Sequence, residues 1–263
     1  MSGGRQVSVG LEEREAGIVA TVTIDNARRL NSMNSALMGE FVGALEVLAA
    51  EERLRVVVLE GAGKTAFVGG ADIKEMGALR DPEGARAFIG LVHACCDAVR
   101  TVPVPVIARI QGFTFGAGLE LAASCDLRVA AEGAVFGMPE VRLGIPSVVE
   151  AALLPMLVGW GRTRRMLLLG EHFSAAEALA WGLVERVVPA AGLGAAVGEW
   201  VDQVLLGAPL AVRAQKALIR SWEDLPLRAA VQAGVESFAG SFATDEPREA
   251  MARFLAEQAA RKR

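Results

Sequence analysis

A chain of 263 residues that is 52% hydrophobic is long enough for one large domain, or a domain with a smaller appendage, and can bury a sizeable core. Its formal net charge of −4 excludes the basic face that nucleic-acid binding needs, and no charge-free apolar run approaches the roughly 18 residues of a membrane span, so neither nucleic acid nor membrane is expected as a partner. Cys95, Cys96 and Cys125 show no metal-ligand spacing, and the N-terminal region carries Glu12, Glu13 and Glu15 without an apolar signal core, which points to a reducing, cytoplasmic location.

Residues 5–24 alternate as two short strands about Gly17. A loop over Asn26 to Asn34 leads into a helix from about Ser35 to Glu52, with Leu37, Phe41, Leu45 and Leu48 at helical spacing. RVVVLE (Arg55–Glu60) reads as a buried strand, ended by Gly61 and Gly63. A short helix begins within Ala71 to Met76, and Pro82 opens a longer one to about Arg100. Pro103 and Pro105 frame a strand that stops at Gln111-Gly112, a helix starts near Gly116, and Asp126 to Ala130 is the next strand. Several helices follow Glu140, one of them from Val149 and one opened by a capping box of Ser174 and Glu177, and Leu183 to Val188 reads as a strand. From about Leu193 the pattern is helical, with breaks at Pro209, Pro226 and Pro247, and the Arg261-Lys262-Arg263 cluster reads as a solvated helix end. Alternating strands and helices followed by an all-helical tail predict an α/β core over residues 1–200 and a helical appendage over 201–263.

Three familiar motifs fail on inspection. GAGKT (Gly61–Thr65) follows a strand, but the glycine that a phosphate-binding loop needs five residues before Gly63 is Val58. FGAGLELA lacks the last glycine of a dinucleotide fingerprint, and Ser124 and Ser147 lack a nucleophile-elbow context. His93 and His172 stand far apart without ligand partners and read as structural.

Two glutamates stand out instead. Glu120 is the only charge in IQGFTFGAGLELAASC, and Glu140 is the only charge in GAVFGMPEV. Buried carboxylates need partners, and a pair whose environments shift their pKa values apart can divide acid and base work. Two glycine-marked turns, FVGGADIKEM (Phe67–Met76) and QGFTFGAGLELAASCD (Gln111–Asp126), each lead into a helix start, where free N–H groups can hold a developing negative oxygen.

These segments, together with ARRLNSMN (Ala27–Asn34), FGMPEVRLGIP (Phe136–Pro146) and ALAWGLVERVVP (Ala178–Pro189), stand in an order and spacing that resembles the enoyl-CoA hydratase/isomerase (crotonase) superfamily over nearly the whole chain, most like the enoyl-CoA hydratases. The resemblance implies a crotonase-like spiral of ββα units with a C-terminal helical trimerisation region, hence a homotrimer or homohexamer. It implies two oxyanion N–H groups, at Ala71 beside Gly70 and at Ala117 beside Gly116; Ala117 departs from the family's glycine and requires an ordinary helical conformation. Glu120 and Glu140 match the two catalytic acids. By the same resemblance Asp72, Ile73 and Lys74 line the arm of coenzyme A, and Ser147 stands nearest to a glycine whose N–H helps hold the water.

The implied reaction is hydration of a 2-trans-enoyl-CoA thioester in acyl-CoA degradation. Water adds at C3 with the help of Glu120, Glu140 exchanges the proton at C2, and the two N–H groups hold the enolate oxygen. No metal or cofactor is implied, because coenzyme A arrives as part of the substrate. The alternatives are another acyl-CoA reaction of the family (double-bond isomerisation, decarboxylation or C–C hydrolysis) and a non-catalytic CoA-ester-binding protein. Glu150, in SVVEAALLP where the family is usually glycine-rich, reads as a surface charge on the helix from Val149; facing the acyl pocket instead, it would bear on the reaction.

Overall fold

The computed structural model describes residues 7–261. Residues 5 and 6 of the first predicted strand, and Lys262 and Arg263 of the basic end, lie outside the described residues. The chain opens with an antiparallel hairpin, β1 (Val7–Arg14) and β2 (Gly17–Ile24), followed by α1 (Ser35–Ala49), β3 (Leu54–Gly61) and β4 (Ala66–Val68). Then come α2 (Ile73–Gly77), α3 (Pro82–Thr101), β5 (Val106–Ile110), β6 (Phe113–Phe115), α4 (Ala117–Ser124), β7 (Leu127–Ala131) and β8 (Val135–Gly137). The remainder is α5 (Leu154–Leu169), β9 (His172–Ser174), α6 (Ala175–Trp181), β10 (Arg186–Val188), α7 (Leu193–Leu206), α8 (Pro209–Asp224), α9 (Leu227–Ser241) and α10 (Glu246–Arg261).

The strands form two sheets. The larger has the order β1-β2-β3-β5-β7-β10, parallel from β2 onward, and the smaller the order β4-β6-β8-β9, parallel through β8. Each long strand of the first sheet (β3, β5, β7) runs into a short strand of the second (β4, β6, β8) before the next helical segment. This is the ββα repeat of the mixed α/β fold anticipated above. Inside the larger sheet both faces are covered, so β2 and β3 are almost continuously apolar, whereas the edge strand β1 leaves most of its residues exposed. Along β3, Val57 and Leu59 join the main core with α1, α3 and α4, while Val56 and Val58 face the other way against Leu193, Val197 and Val201 of α7.

Several boundaries move. The first helix stops at Ala49, three residues early, because Glu51 N–H bonds to Leu48 O (3.1 Å) and turns the chain into β3. Leu183 and Val184 are buried but unpaired as strand; their N–H groups cap α6 at Ala178 O (2.9 and 3.4 Å), leaving only Arg186–Val188 to pair with β7. The helix predicted from Val149 begins as a 3-10 turn, Val149–Leu153, that precedes α5. The three expected breaks fall at helix junctions: Pro209 and Pro247 occupy the first turns of α8 and α10, where a missing N–H has no intrahelical partner to lose, and Pro226 directly precedes α9. The four three-residue strands of the smaller sheet were not anticipated, because three residues are too few to show a period.

Helices α8 to α10 bury little within the chain and expose Ile219, Trp222, Leu227, Val231, Phe238, Phe254 and Leu255. The buried Lys216 ties α8 to the core, donating to Val99 O (3.1 Å), Val104 O (2.9 Å) and Asp126 Oδ2 (2.8 Å). No single helix among the described residues is long and apolar enough to cross a membrane.

One close approach fixes α4. At Gly118 a Cβ would collide with the backbone carbonyl oxygen of Val68 in β4, so the helix lies against that strand only because the side chain is absent. Gly118→Ala is expected to destabilise the fold by about 1–3 kcal/mol in denaturant titration. Gly43→Ala, in the interior of α1 with open space around it, is the control and is expected to be neutral or stabilising by up to about 1 kcal/mol.

Candidate active site

The first glycine turn connects β4 to α2. Gly70 sits at φ +110°. Its carbonyl accepts from Met33 N–H (2.9 Å), and Met33 O accepts from Asp72 N–H (2.9 Å), so Ala71 is clamped between two backbone bonds that use neither its own N–H nor its position. Asp72 is buried and caps α2, accepting from Lys74 N–H (2.8 Å) and Glu75 N–H (3.2 Å) and pairing with Arg29 at 3.3 Å. The bond from Glu75 N–H is the largest influence holding its carboxyl below the usual carboxylate range. The Asp72 carboxylate is thus occupied within the fold, while Ile73 and Lys74 are exposed on the first turn of α2.

The second turn connects β6 to α4. Gly116 adopts φ 52°, ψ −122°, a conformation essentially reserved for glycine. Its N–H bonds to Gly137 O (3.0 Å), and its carbonyl accepts from Leu119 N–H (2.8 Å) and Glu120 N–H (3.0 Å). Ala117 is the first residue of α4 and has an ordinary negative φ, so its N–H is one of the donors a helix start leaves over. Among the described residues neither the Ala71 nor the Ala117 N–H has a hydrogen-bond partner.

Glu120, one turn into α4, is 4% exposed. Burial is the largest cause that raises its carboxyl, the charge of Glu140 is next, and backbone hydrogen bonds from Ala151 and Val148 pull the other way; the result is a pKa of about 8. Glu140 opens the 3-10 segment Glu140–Leu143 just after β8. The parallel register that sets Phe115 opposite Gly137 carries it back over the Gly116 turn, where its Oε1 occupies the space that a Gly116 side chain would fill. Its Oε2 accepts from Ser147 Oγ at 2.8 Å. Two carboxyl groups from different segments and the unspent N–H of Ala117 therefore share one corner of the fold.

Glu150 is not the surface charge expected from sequence. It is buried, because the 3-10 turn Val149–Leu153 packs on α3 and α4, and its Oε1 lies 2.7 Å from His93 Nδ1. The sequence signal was present: Glu150 is the only charge between Gly144 and Gly161, the pattern that singled out Glu120 and Glu140. His93 thus has a carboxylate partner that its sequence context did not suggest, whereas His172 stacks on Phe115 with centroids 4.4 Å apart.

The raised carboxyl of Glu120 has a sign-definite consequence. Its folded pKa of about 8 lies above the value of 4.5 for an unperturbed glutamate, so the folded state holds a proton that the unfolded chain has lost between those limits. This group's contribution to stability is full below pH 4.5 and is lost as pH rises toward 8. Glu120→Gln is therefore expected to raise the melting temperature at pH 8 by a few degrees, with the gain shrinking toward pH 4.5 in a thermal-melt series.

Residues 13–261 match the enoyl-CoA hydratase/isomerase family. The short-chain enoyl-CoA hydratase of Clostridium acetobutylicum is 35% identical over 240 residues, covering 91% of this chain and 92% of that protein. The crotonyl-CoA hydratase of Syntrophomonas wolfei is 34% identical over 251 residues and 95% of each. Among solved structures, the enoyl-CoA hydratase of Bacillus anthracis aligns with a TM-score of 0.89 at 32% identity, covering 96% of both chains. The glutamate pair, the two glycine turns and the ββα repeat accord with these matches: the chain belongs to the enoyl-CoA hydratase/isomerase family.

Proposed function

We propose that this protein is an enoyl-CoA hydratase that reversibly adds water to a 2-trans-enoyl-CoA to give the 3-hydroxyacyl-CoA. The observation that carries the reading is the convergence of Glu120 and Glu140 on the Gly116–Ala117 turn beside an unspent N–H. In this reading the thioester oxygen lies between the N–H groups of Ala71 and Ala117. Negative charge grows on that oxygen as the water oxygen bonds to C3, and two donors already fixed by the fold stabilise the enolate without reorganising.

One acid of the pair takes the water's proton and the other delivers a proton to C2, so the site ends with as many protons as it began. Glu120 is assigned to the water and Glu140 to C2, with Ser147 holding the second carboxylate oxygen of Glu140. With its pKa raised to about 8, Glu120 keeps a proton in the site at neutral pH; the pair shares that proton through the bound water, and hydration runs from the arrangement in which the proton rests on Glu140 and the ionised Glu120 faces the water. The chemistry needs only acid, base and oxyanion donors, and coenzyme A enters with the substrate. Gly70 and Gly116 let the backbone approach the thioester, and Ile73 and Lys74, presented by the Asp72 cap, stand at the mouth for the coenzyme A arm. Residues 1–200 are read as the catalytic core and 201–263 as the region that joins subunits into a trimer or a pair of trimers. The apolar surface of α8 to α10 supports the latter, and a cytoplasmic setting agrees with three buried free thiols.

Purified protein is expected to bleach the conjugated thioester absorbance of crotonyl-CoA and to give a product 18 Da heavier; an isomerised product of unchanged mass would overturn hydration. Glu120→Gln and Glu140→Gln are each expected to lower kcat about 10²–10⁴-fold with the fold retained, and full activity in either variant would refute the assignment. Gly116→Ala would push the Glu140 carboxyl from its place and is expected to cost about 10²-fold in kcat/KM.

A further inference from the structure

The segment that begins at Ser147 serves both acids at once. Ser147 Oγ holds Glu140, and the turn Val149–Leu153 packs on α4 and brings the N–H groups of Val148 and Ala151 to the Glu120 carboxyl. The backbone there runs against local preference. Val149, a β-branched residue, sits at φ +40°, a conformation that persists only where the surroundings impose it.

The stretch Val148–Leu154 reads VVEAALL, so Glu150 is its one residue with a polar side chain. That side chain crosses to α3, where its Oε1 accepts from His93 Nδ1–H at 2.7 Å. The Glu150 side chain is only 10% exposed, whereas that of His93 is 57% exposed. Glu150 Oε2 is buried and has no hydrogen-bond partner among the described residues, so His93 is the group that holds the carboxylate. A buried acceptor deprived of its donor is strongly disfavoured. Breaking the pair therefore drives Glu150 toward solvent. Val149 then relaxes to a negative φ, and the N–H groups of Val148 and Ala151 leave Glu120.

We propose that Glu150 and His93 are positioning residues for the reaction: their hydrogen bond fixes the Val149 turn so that the N–H groups of Val148 and Ala151 stay on the Glu120 carboxyl. The inference rests on the acid–base role read for Glu120 above. The titratable groups around that carboxyl are Glu140 from the segment after β8, Glu150 from the turn, and Cys96 and His93 from α3. Burial pushes the Cys96 thiol well up, so it stays neutral. His93 donates its Nδ1–H whether or not Nε2 carries a proton, so its own titration leaves the bond in place. The two N–H groups favour the ionised form of Glu120, and the charge of Glu150 opposes it. The two halves of the pair thus act with opposite signs: loss of His93 raises the Glu120 carboxyl through the turn, and loss of the Glu150 charge alone lowers it.

The pH profile of crotonyl-CoA hydration tests the proposal. His93→Ala is expected to lower kcat about tenfold with KM within about threefold, and to move the alkaline limb, where the acid pair loses its shared proton, up by about 0.5 pH unit or more. His93→Phe, which keeps a ring without the donor, takes its place should His93→Ala fail to fold by circular dichroism. His93→Asn, whose side-chain N–H stands where Nδ1–H stood, is expected to recover most of both effects. Glu150→Gln keeps an acceptor for His93 and loses the charge, and is expected to move the limb to lower pH. A uniform loss of rate with unmoved limbs on removal of the donor overturns the proposal, as does a His93→Asn variant that recovers nothing. A substrate-free measurement separates the inference from hydration. The pH at which the thermal gain of Glu120→Gln over its parent levels off marks the folded Glu120 pKa, and it is expected to be higher in a His93→Ala or His93→Phe background than in the wild-type protein. The same levelling-off pH in both backgrounds overturns the proposal whatever the activity. Absence of hydration by the wild-type protein removes the hydratase assignment, and the thermal series then decides the inference alone.

Discussion

A carboxyl group held inside the protein, at the start of a helix and under the charge of a second carboxyl, is the constraint around which this site is arranged. Burial and Glu140 favour the protonated form of Glu120, while N–H groups from Val148 and Ala151 favour the ionised form. The balance leaves the group able to gain and lose a proton near neutral pH, which an acid–base residue needs and an exposed glutamate lacks. None of the opposing influences is local in sequence. Glu140 follows β8, Val148 and Ala151 flank a strained turn, and the burial comes from α3, α4 and the strands beneath them.

The pairing of two sheets makes that convergence possible. The short strands β4, β6 and β8 are too small to be stable alone, but each continues from a long, doubly buried strand of the larger sheet. Their parallel register stacks the ends of successive repeats on one another. The Ala71 turn after β4, the Ala117 turn after β6 and Glu140 after β8 therefore lie in neighbouring layers, although they are far apart along the chain. Gly118 lets α4 approach β4, and Gly116 leaves room for the Glu140 carboxyl. Small residues at these positions bring chemistry-bearing groups together at the cost of conformational freedom in the unfolded chain.

Glu150 shows how the same scaffold accommodates variation. The turn that supplies N–H groups to Glu120 also presents the side chain of its own central residue to the interior. A glycine-rich turn would leave that space open. Here it holds a carboxylate fixed by a half-exposed histidine and packed on α3 and α4, beside the backbone that serves the first acid.

The sequence by itself determined the class of fold, the order of the long elements and the two isolated glutamates, because buried strands, capped helices and lone charges in apolar segments leave local signatures. The Ser174–Glu177 capping box is of this kind, resting on residues three positions apart. Only the tertiary structure decided what depends on contacts between distant segments. It alone formed the smaller sheet from three-residue strands, drew Ser147 onto Glu140, occupied Asp72 with its cap and Arg29, and turned Glu150 inward to His93. A charge's partner and its exposure are set by what packs over it, and that information is not contained in the neighbouring residues of the chain.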